Sequence, residues 1–501
     1  MLTLEAYTRR MLRRWQPIVV SNRAPFEFHV DSQGRLHGER GSGGLITALT
    51  SLARSASATW VACSQSEADR LALSSGIDMT EQLGFDMHLV VPEPEAYEMY
   101  YSVIANPLLW FIQHYLWDLI HEPVIDDTVA RSWREGYVAV NRQIADAVAE
   151  VASRQRKPPL ILSQDYHLYL MPKFVREQVA NLGMQQFIHI PWPTPQYWKI
   201  LPKAIRDDIV SGLLNNDIIG FQTKLDVRNF LMTCEENMGL TVDLRERAVF
   251  YQGRCIWVRS YPISIDVAEF EAMAESAEVL AEEDRLRSWR PQHLIVRVDR
   301  TDPSKNVVRG FLAYERLLES HPELAGRVQF WAYLQPSRQD VSVYRGYLRL
   351  IRKTAANINQ KFGAAGWRPI RLELRNDMRR AVAAYKNFDA LLVNPLYDGM
   401  NLVAKEGMLV NRRDGVLVLS ENAGSFEELG DMALAINPFD VDATAEALYQ
   451  AIVMEPAERR ERAEAIRSVV HHNDIARWAS MQMQDIRDLL GPPKWPGLPA
   501  G

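Results

Sequence analysis

Leu294-Ile-Val296 is followed closely by Arg300-Thr-Asp-Pro-Ser-Lys305. About ninety residues on, Ala390-Leu-Leu-Val393 is followed by Asp398-Gly-Met-Asn-Leu-Val-Ala-Lys-Glu406. Each apolar run has the length and setting of a buried strand. The stretch 307–320 behind the first run carries helical periodicity. Strand, charged loop and helix in that order imply a parallel sheet covered by helices. In such sheets ligands bind beyond the carboxyl ends of the strands. The first loop brings two fixed cations, Arg300 and Lys305, to that position. The second brings an acid, a Gly-containing turn and a second acid.

The same alternation runs through most of the chain. Pro17-Ile-Val-Val20, 160–162, 186–190, 218–221, 328–331 and 416–419 read as further buried strands. The segments 129–155, 267–288, 341–362 and 441–466 read as helices. The cycle restarts near residue 290, and Val258-Arg-Ser-Tyr-Pro-Ile-Ser-Ile-Asp266 looks like the joint, punctuated by Pro262. The expected fold is therefore α/β, with two Rossmann-like domains facing across a cleft. The first spans 1–262 and the second 263–472. A tail at 491–501, rich in Pro and Gly, cannot be helical.

Composition narrows the function classes. The chain has 501 residues, 47% hydrophobic and 24% charged, which is ordinary for a globular protein of two large domains. Its 57 Lys and Arg against 63 Asp and Glu leave a net charge of −6. No global basic field argues for nucleic acid or an anionic membrane, so an anionic ligand needs a local basic pocket. The three cysteines, Cys63, Cys234 and Cys255, lack metal-ligand spacing, and their odd, sparse count suits a reducing cytoplasm. No apolar run reaches membrane-spanning length. A cytoplasmic protein acting on small molecules is expected, with homo-oligomerisation left open.

Four further groups carry chemistry. Ser21-Asn-Arg-Ala-Pro25 follows the opening strand, and Gly41-Ser-Gly-Gly-Leu45 leads into a helical pattern. Bare backbone N–H groups at a helix start suit an anion, although from the glycines alone a plain tight turn is the better reading. Tyr100-Tyr-Ser-Val-Ile-Ala-Asn-Pro-Leu-Leu-Trp110 is either an aromatic core helix or a source of hydroxyl and indole donors. Gln164-Asp-Tyr-His-Leu168 puts Asp165 at a strand end. His189-Ile-Pro-Trp-Pro-Thr-Pro195 holds an imidazole on a stiff loop, where it suits either a general base or a hydrogen-bonding group. Together with Arg300, Lys305, Arg338 and the acids at 398 and 406, these groups fit a site for a nucleotide sugar. The leaving diphosphate needs positive charge, and the neutral sugar needs carboxylates and backbone N–H groups.

In family order these strings resemble the trehalose-6-phosphate synthase family of retaining glycosyltransferases. They are Ser21-Asn-Arg, Ser42-Gly-Gly-Leu, Asp165-Tyr-His-Leu, His189-Ile-Pro, Ile219-Gly-Phe-Gln-Thr223, Asp398 to Glu406, Glu421-Asn-Ala-Gly-Ser and Asn437-Pro-Phe-Asp440. The resemblance implies a GT-B fold whose last helix, 473–490, crosses back to complete the N-terminal, acceptor-binding domain. It implies glucosyl transfer from a nucleotide-glucose, UDP-glucose foremost, to glucose 6-phosphate, giving trehalose 6-phosphate. The nucleotide sugar is a co-substrate, and neither cofactor nor metal is implied. Arg300 and Lys305 would grip the diphosphate. Asp398 and the backbone of Gly399, Met400, Asn401 and Leu402 would hold the donor sugar, and Glu406 the ribose. Gly44 would approach the donor phosphate. Asp165 and His189 would touch the reacting sugars. Arg23, Tyr101, Trp110 and Arg338 would surround the acceptor phosphate. Contacts to the base, around 375–378 and 402–403, leave its identity unread.

The chain departs from the family at several points. Gln164 stands where His is common, Trp192 follows His-Ile-Pro, Gln196 stands where Glu is common, and Cys63 replaces an expected Trp. Arg300-Thr-Asp-Pro-Ser-Lys-Asn306 differs from the commoner Arg-Leu-Asp-Tyr-Ser-Lys-Gly. Some of these strings resemble the pseudo-glycosyltransferase that makes validoxylamine A 7′-phosphate. An aminocyclitol phosphate or glycerol 3-phosphate therefore stands as an alternative acceptor. A non-catalytic sugar-phosphate sensor is the reading from another class, and retention of Arg300, Lys305, Asp398 and Glu406 argues against it.

Overall fold

The apolar run Pro17-Ile-Val-Val20 forms the centre of a buried strand, β1 (Gln16–Arg23), which pairs on both sides with parallel strands. The computed structural model describes residues 14–31, 33, 35–40, 50, 53, 58–74, 84–339 and 341–490. Gly44 with its Gly-rich loop, and the tail 491–501, lie outside these. Internal contacts divide the chain into two units, Met1–Ile263 with Ile475–Gly501, and Ser264–Asp474.

In the first unit a hairpin, β2 (Phe26–Val30) and β3 (Leu36–Arg40), follows β1. The main sheet continues with β4 (Thr59–Cys63), β5 (Asp86–Val90), β6 (Pro159–Gln164), β7 (Gly183–Phe187), β8 (Ile218–Phe221), β9 (Thr241–Asp243), β10 (Ala248–Tyr251) and β11 (Arg254–Ser260). Its order is β5-β4-β1-β6-β7-β8-β11-β10-β9. Successive connections run one way from β1 and the other way from β6, so the switch point lies between those two strands. One edge differs from the all-parallel expectation, because β10 runs antiparallel to both β9 and β11. Here Tyr251 pairs with Arg254 across the two-residue turn Gln252-Gly253, both left-handed, so the chain reverses in a hairpin instead of crossing over through a helix. The strand expected over 186–190 pairs over Gly183–Phe187 instead, and the chain then leaves the sheet towards Pro191, Pro193 and Pro195, which cannot donate to a ladder.

The last helix, Ile475–Leu489, belongs to this unit. Gln185 Nε2 donates to Gln482 Oε1 at 2.8 Å, and Tyr261 OH donates to Asp485 Oδ2 at 2.7 Å. The Trp478 ring meets Phe187 edge-on at 5.4 Å.

The second unit is a six-stranded parallel sheet in the order β14-β13-β12-β15-β16-β17. These are β12 (His293–Arg300), β13 (Val328–Gln335), β14 (Ile370–Leu374), β15 (Ala390–Val393), β16 (Val416–Ser420) and β17 (Leu434–Ile436). Alternate residues feed opposite faces, as the period of two requires. Leu294, Val296, Leu391 and Val393 enter one apolar cluster, and Ile295, Ala390 and Leu392 the other. The switch point is between β12 and β15. Those strands pair only through Ile295–Ala390 and Val296–Leu391, then part. The helix expected over 441–466 is two helices, Val441–Val453 and Pro456–His472. Pro456 cannot continue the first helix but suits the first turn of the second. The stretch 267–288 likewise divides, because Ser276 caps a new helix at Ala277–Arg287.

Met99–Leu109 is wound as a π-helix, with Trp110 N–H reaching Ala105 O five residues back. Pro107 within it offers no N–H, which interrupts the ordinary ladder. The helical turn Ser132–Val138 crosses it at Gly136, where an added Cβ would sit 2.6 Å from Tyr100 N and 2.6 Å from Met99 Cβ. Backbone cannot yield there as a flexible side chain would. Gly136→Ala is therefore expected to destabilise the protein by about 1–3 kcal/mol, read from the urea midpoint. An unchanged midpoint would show that the two helical segments part freely.

Candidate active site

The first unit gathers its polar groups where β1 and β6 end, at the switch point. Each residue of Ser21-Asn-Arg has separate work. Ser21 Oγ accepts from Trp60 Nε1 at 2.8 Å and donates to Arg23 O at 2.6 Å. Buried Asn22 accepts from Tyr97 OH and Tyr100 OH at 3.3 and 3.2 Å. Arg23, exposed at the strand end, donates through Nη2 to Tyr101 OH at 3.0 Å. The Tyr101 ring stacks on Tyr97 (centroids 5.7 Å apart) and on His167 (6.0 Å). Trp110 is buried, stacked on His114 at 4.0 Å and tilted against Tyr166 at 5.7 Å. Arg23 and Tyr101 are thus in direct contact, with Trp110 deeper in the same aromatic cluster.

After β6, Asp165 holds φ 74° and ψ 176°, a region that costs a non-glycine residue about 1–3 kcal/mol. It is held there by its N–H to Phe187 O at 2.7 Å and by its Oδ1, which accepts from His189 N–H at 3.2 Å. The His189 ring packs on Phe187 at 4.6 Å, and its Nε2 lies 3.0 Å from Gln164 Oε1. Asp165 and His189 therefore form one cluster. Burial pushes the imidazole down to about 3. A neutral ring of such low basicity is suited to hydrogen bonding and poorly suited to taking a proton.

The departures fall mostly in the packing. Trp192 is fully buried, donating through Nε1 to Thr233 Oγ1 at 3.1 Å. Cys63 lies in the core, where burial pushes its thiol up to about 12. Gln196 donates to exposed Glu236 at 2.9 Å. Gln164 touches His189, Cys63 pairs with Arg23 across the sheet, and Thr301 and Asn306 adjoin Arg300 and Lys305.

In the second unit, β12 and β15 diverge beyond Val296 and Leu391, and the charged groups fill the resulting opening. Lys305 Nζ donates to Asp398 Oδ2, which also accepts from Asn401 Nδ2 at 3.0 Å. Arg300, at the end of β12, has its Nη2 3.9 Å from Asp302 Oδ2, and Arg338 Nη1 lies 3.7 Å from the same oxygen. Arg338 belongs to this unit beside Arg300, while Arg23, Tyr101 and Trp110 belong to the other. Arg297, missed in the sequence, is fully buried. It donates through Nη1 to Asn394 Oδ1 at 2.6 Å and through Nη2 to Lys305 O, and its Nε lies 3.0 Å from Asp299. A charged residue interrupting the buried run of β12 was the available signal. Burial raises Asp299 against the pull of Arg297 and Lys305. Around this opening Arg297, Arg300, Lys305 and Arg338 stand against Asp299, Asp302 and Asp398, with Asp299 pushed towards neutrality. That cluster of cations suits an anionic ligand.

The loop 398–402 is zipped to the loop 421–425. Asp398 N–H donates to Asn422 O at 3.1 Å, Gly424 N–H to Asp398 O at 3.0 Å and Ser425 N–H to Met400 O at 2.9 Å. Asn401 takes a left-handed φ of 68°. Met400 is buried, and Leu402 opens the helix Val403–Val410 that carries Glu406. Tyr385 OH donates to Glu406 Oε2 at 3.3 Å, but burial still pushes this carboxyl up to about 7. On the neighbouring loop, Arg375 pairs with Glu373 at 3.1 Å. Among the described residues no group of three or more His, Cys, Asp or Glu is placed to hold a metal ion, and no helix is long and apolar enough to cross a membrane.

Two outcomes are expected. A Cβ on Gly424 would lie 1.8 Å from Gly399 O, so Gly424→Ala must displace the 398–402 loop. Ligand affinity at this loop should fall more than about tenfold by titration calorimetry while the fold persists. The folded Glu406 carboxyl titrates above its unfolded value of about 4.5. Its contribution is therefore full below that pH and lost as pH rises through about 7. The melting temperature of Glu406→Gln relative to the parent should rise across this window and level off above it. A pH-independent difference would contradict the shift.

The sequence profile of glycosyltransferase family 20 matches residues 15–488. A bifunctional trehalose-6-phosphate synthase/phosphatase from Thermoproteus tenax is 34% identical over 477 residues, covering 92% of this chain and 62% of its own. The chain thus spans about three fifths of that relative. A solved E. coli structure, trehalose-6-phosphate bound with UDP-2-fluoro glucose, matches with TM-score 0.80 and 28% identity over 94% of this chain and 99% of its own. The UDP-forming alpha,alpha-trehalose-phosphate synthase of Burkholderia xenovorans in complex with glucose-6-phosphate matches with TM-score 0.80 and 28% identity, covering 95% and 100%. With a profile match over nearly its whole length, the chain belongs to glycosyltransferase family 20.

Proposed function

We propose that this chain transfers glucose, with retention, from UDP-glucose to the anomeric hydroxyl of glucose 6-phosphate, yielding trehalose 6-phosphate and UDP. The observation that carries the reading is the cation cluster Arg300, Lys305 and Arg338 with Asp398 at the opening between β12 and β15. The names of the relatives agree with it: one neighbour is bound with UDP-2-fluoro glucose, and another is UDP-forming and holds glucose-6-phosphate. Its three free thiols suit a reducing cytoplasm.

In this reading Lys305 and Arg300 bind the donor diphosphate. Asp398, held by Lys305 and Asn401, accepts hydrogen bonds from the donor glucose, with the backbone of Gly399, Met400 and Leu402 beside it. Glu406 takes the ribose hydroxyls, and Gly44 approaches the donor phosphate. Arg23, Tyr101, Trp110 and Arg338 serve the acceptor phosphate. Asp165 and neutral His189 orient sugar hydroxyls. The bond from the glucosyl C1 to the phosphate oxygen breaks as the acceptor oxygen attacks on the same face. The acceptor proton passes to a phosphate oxygen of the departing diphosphate. The side chains work by orientation and by stabilising the charge that builds on that diphosphate.

Incubation with UDP-, ADP- or GDP-glucose against glucose 6-phosphate or glycerol 3-phosphate, with product mass as readout, tests the reading. Trehalose 6-phosphate is expected from UDP-glucose and glucose 6-phosphate; absence of transfer from every pair refutes it. Lys305→Ala should lower kcat about 10²-fold or more at saturating donor, as loss of an oxyanion donor does. Near-parental turnover would remove Lys305 from its role.

A further inference from the structure

The loops that follow β12 and β13 are clamped together by two fully buried side chains, Thr301 and Asp302. Thr301 N–H donates to Gln335 O at 2.8 Å, and its Oγ1 accepts from Ser337 N–H at 3.1 Å. Asp302 Oδ1 is engaged locally, accepting from Ser304 N–H and Ser304 Oγ, both at 3.1 Å. Its Oδ2 faces three groups: Arg300 Nη2 at 3.9 Å, Arg338 Nη1 at 3.7 Å and Tyr344 OH at 3.4 Å. Tyr344 OH in turn accepts from Arg338 Nη1 at 2.6 Å. Arg338 itself sits at φ 47°, a left-handed conformation that costs a non-glycine residue free energy and persists only where surroundings enforce it.

One carboxylate oxygen therefore orients two guanidinium groups assigned, in the function proposed above, to different phosphates. We infer that Asp302 is a positioning residue shared by the donor-diphosphate and acceptor-phosphate arginines, and that the Thr301 hydroxyl separately holds the Arg338 loop in register. The inference rests on that functional reading. Its physical basis is that a long cation ordered before its ligand arrives loses less rotamer freedom on binding, and a buried charged partner is what orders it. Asp302 does this for both arginines because the parallel pairing Arg300–Gln335 brings the two loops side by side. The Thr301 hydroxyl receives Ser337 N–H from the Arg338 loop.

Steady-state kinetics of the full chain, each substrate varied with the other saturating, tests this. Asp302→Asn should raise KM about tenfold for both substrates. It should not multiply with Arg338→Lys in the acceptor KM, nor with Arg300→Lys in the donor KM, as expected for residues acting through one another. Thr301→Val should raise the acceptor KM about threefold and leave the donor KM unchanged, and Thr301→Ser should restore it. Independent multiplication in the double variants overturns the shared role. So does an Asp302→Asn effect confined to the melting temperature. If Asp302→Asn does not fold, Asp302→Glu replaces it: a rise in one KM alone, or in neither, overturns the shared role, and a Thr301→Val change in both constants, or in neither, overturns the Thr301 assignment. Unchanged constants in Arg300→Lys and Arg338→Lys would instead remove the functional reading on which it stands.

Discussion

A fully buried guanidinium, that of Arg297, organises the second unit. An unpaired charge in a sheet interior is prohibitively costly, so its neighbours are dictated. Asn394 takes one arm, Lys305 O the other, and Asp299 lies against Nε. Those three partners come from the end of β12, the loop after it and the end of β15. Arg297 thus ties together the segments that diverge at the switch point. Gly310 makes room for it, since a Cβ there would stand 2.6 Å from Arg297 Nη1. Lys305 can then reach Asp398, and every later feature of this half-site depends on that placement. Asn306, left-handed at φ 58°, turns the chain into the helix Val307–Ser320 and donates to Asn394 O and Pro438 O.

The first unit solves a similar problem with aromatic rings instead of ion pairs. Tyr97, Tyr100 and Tyr101 descend from one helical face onto Asn22, Arg23 and His167. Burial of Tyr100 raises its hydroxyl well above the ordinary range, so it remains a neutral donor. His189 is treated likewise: its ring stays uncharged, packed on Phe187, which the final helix supports from behind through Trp478. The two units therefore differ in character. One presents a cluster of fixed positive charge, and the other sets neutral donors and acceptors beside Arg23 and the Asp165 carboxylate.

Each unit nonetheless obeys one topological rule. Arg23 and Asp165 follow adjacent strands at the switch point of the first sheet. Arg300 and Asp398 follow adjacent strands at the switch point of the second. Nothing has to be arranged specially for this, because connections leaving in opposite directions leave the space above the strand ends unfilled.

Short unbroken apolar runs, their spacing and the charges placed after them were legible in the sequence. They depend on local sterics and burial, which a short string encodes directly. Pro17 to Val20, Leu294 to Val296 and Ala390 to Val393 announced their strands in this way, and Arg300, Lys305 and Asp398 announced their loops. Strands such as Ile370–Leu374 and Leu434–Ile436 did not, since their pairing is supplied by neighbours far along the chain. The burial of Arg297, the meeting of Arg300 and Arg338 at one Asp302 oxygen and the contact of Gly424 with Gly399 were likewise decided only in three dimensions. Each depends on segments tens of residues apart arriving at one point, and distance in space is not written in distance along the chain.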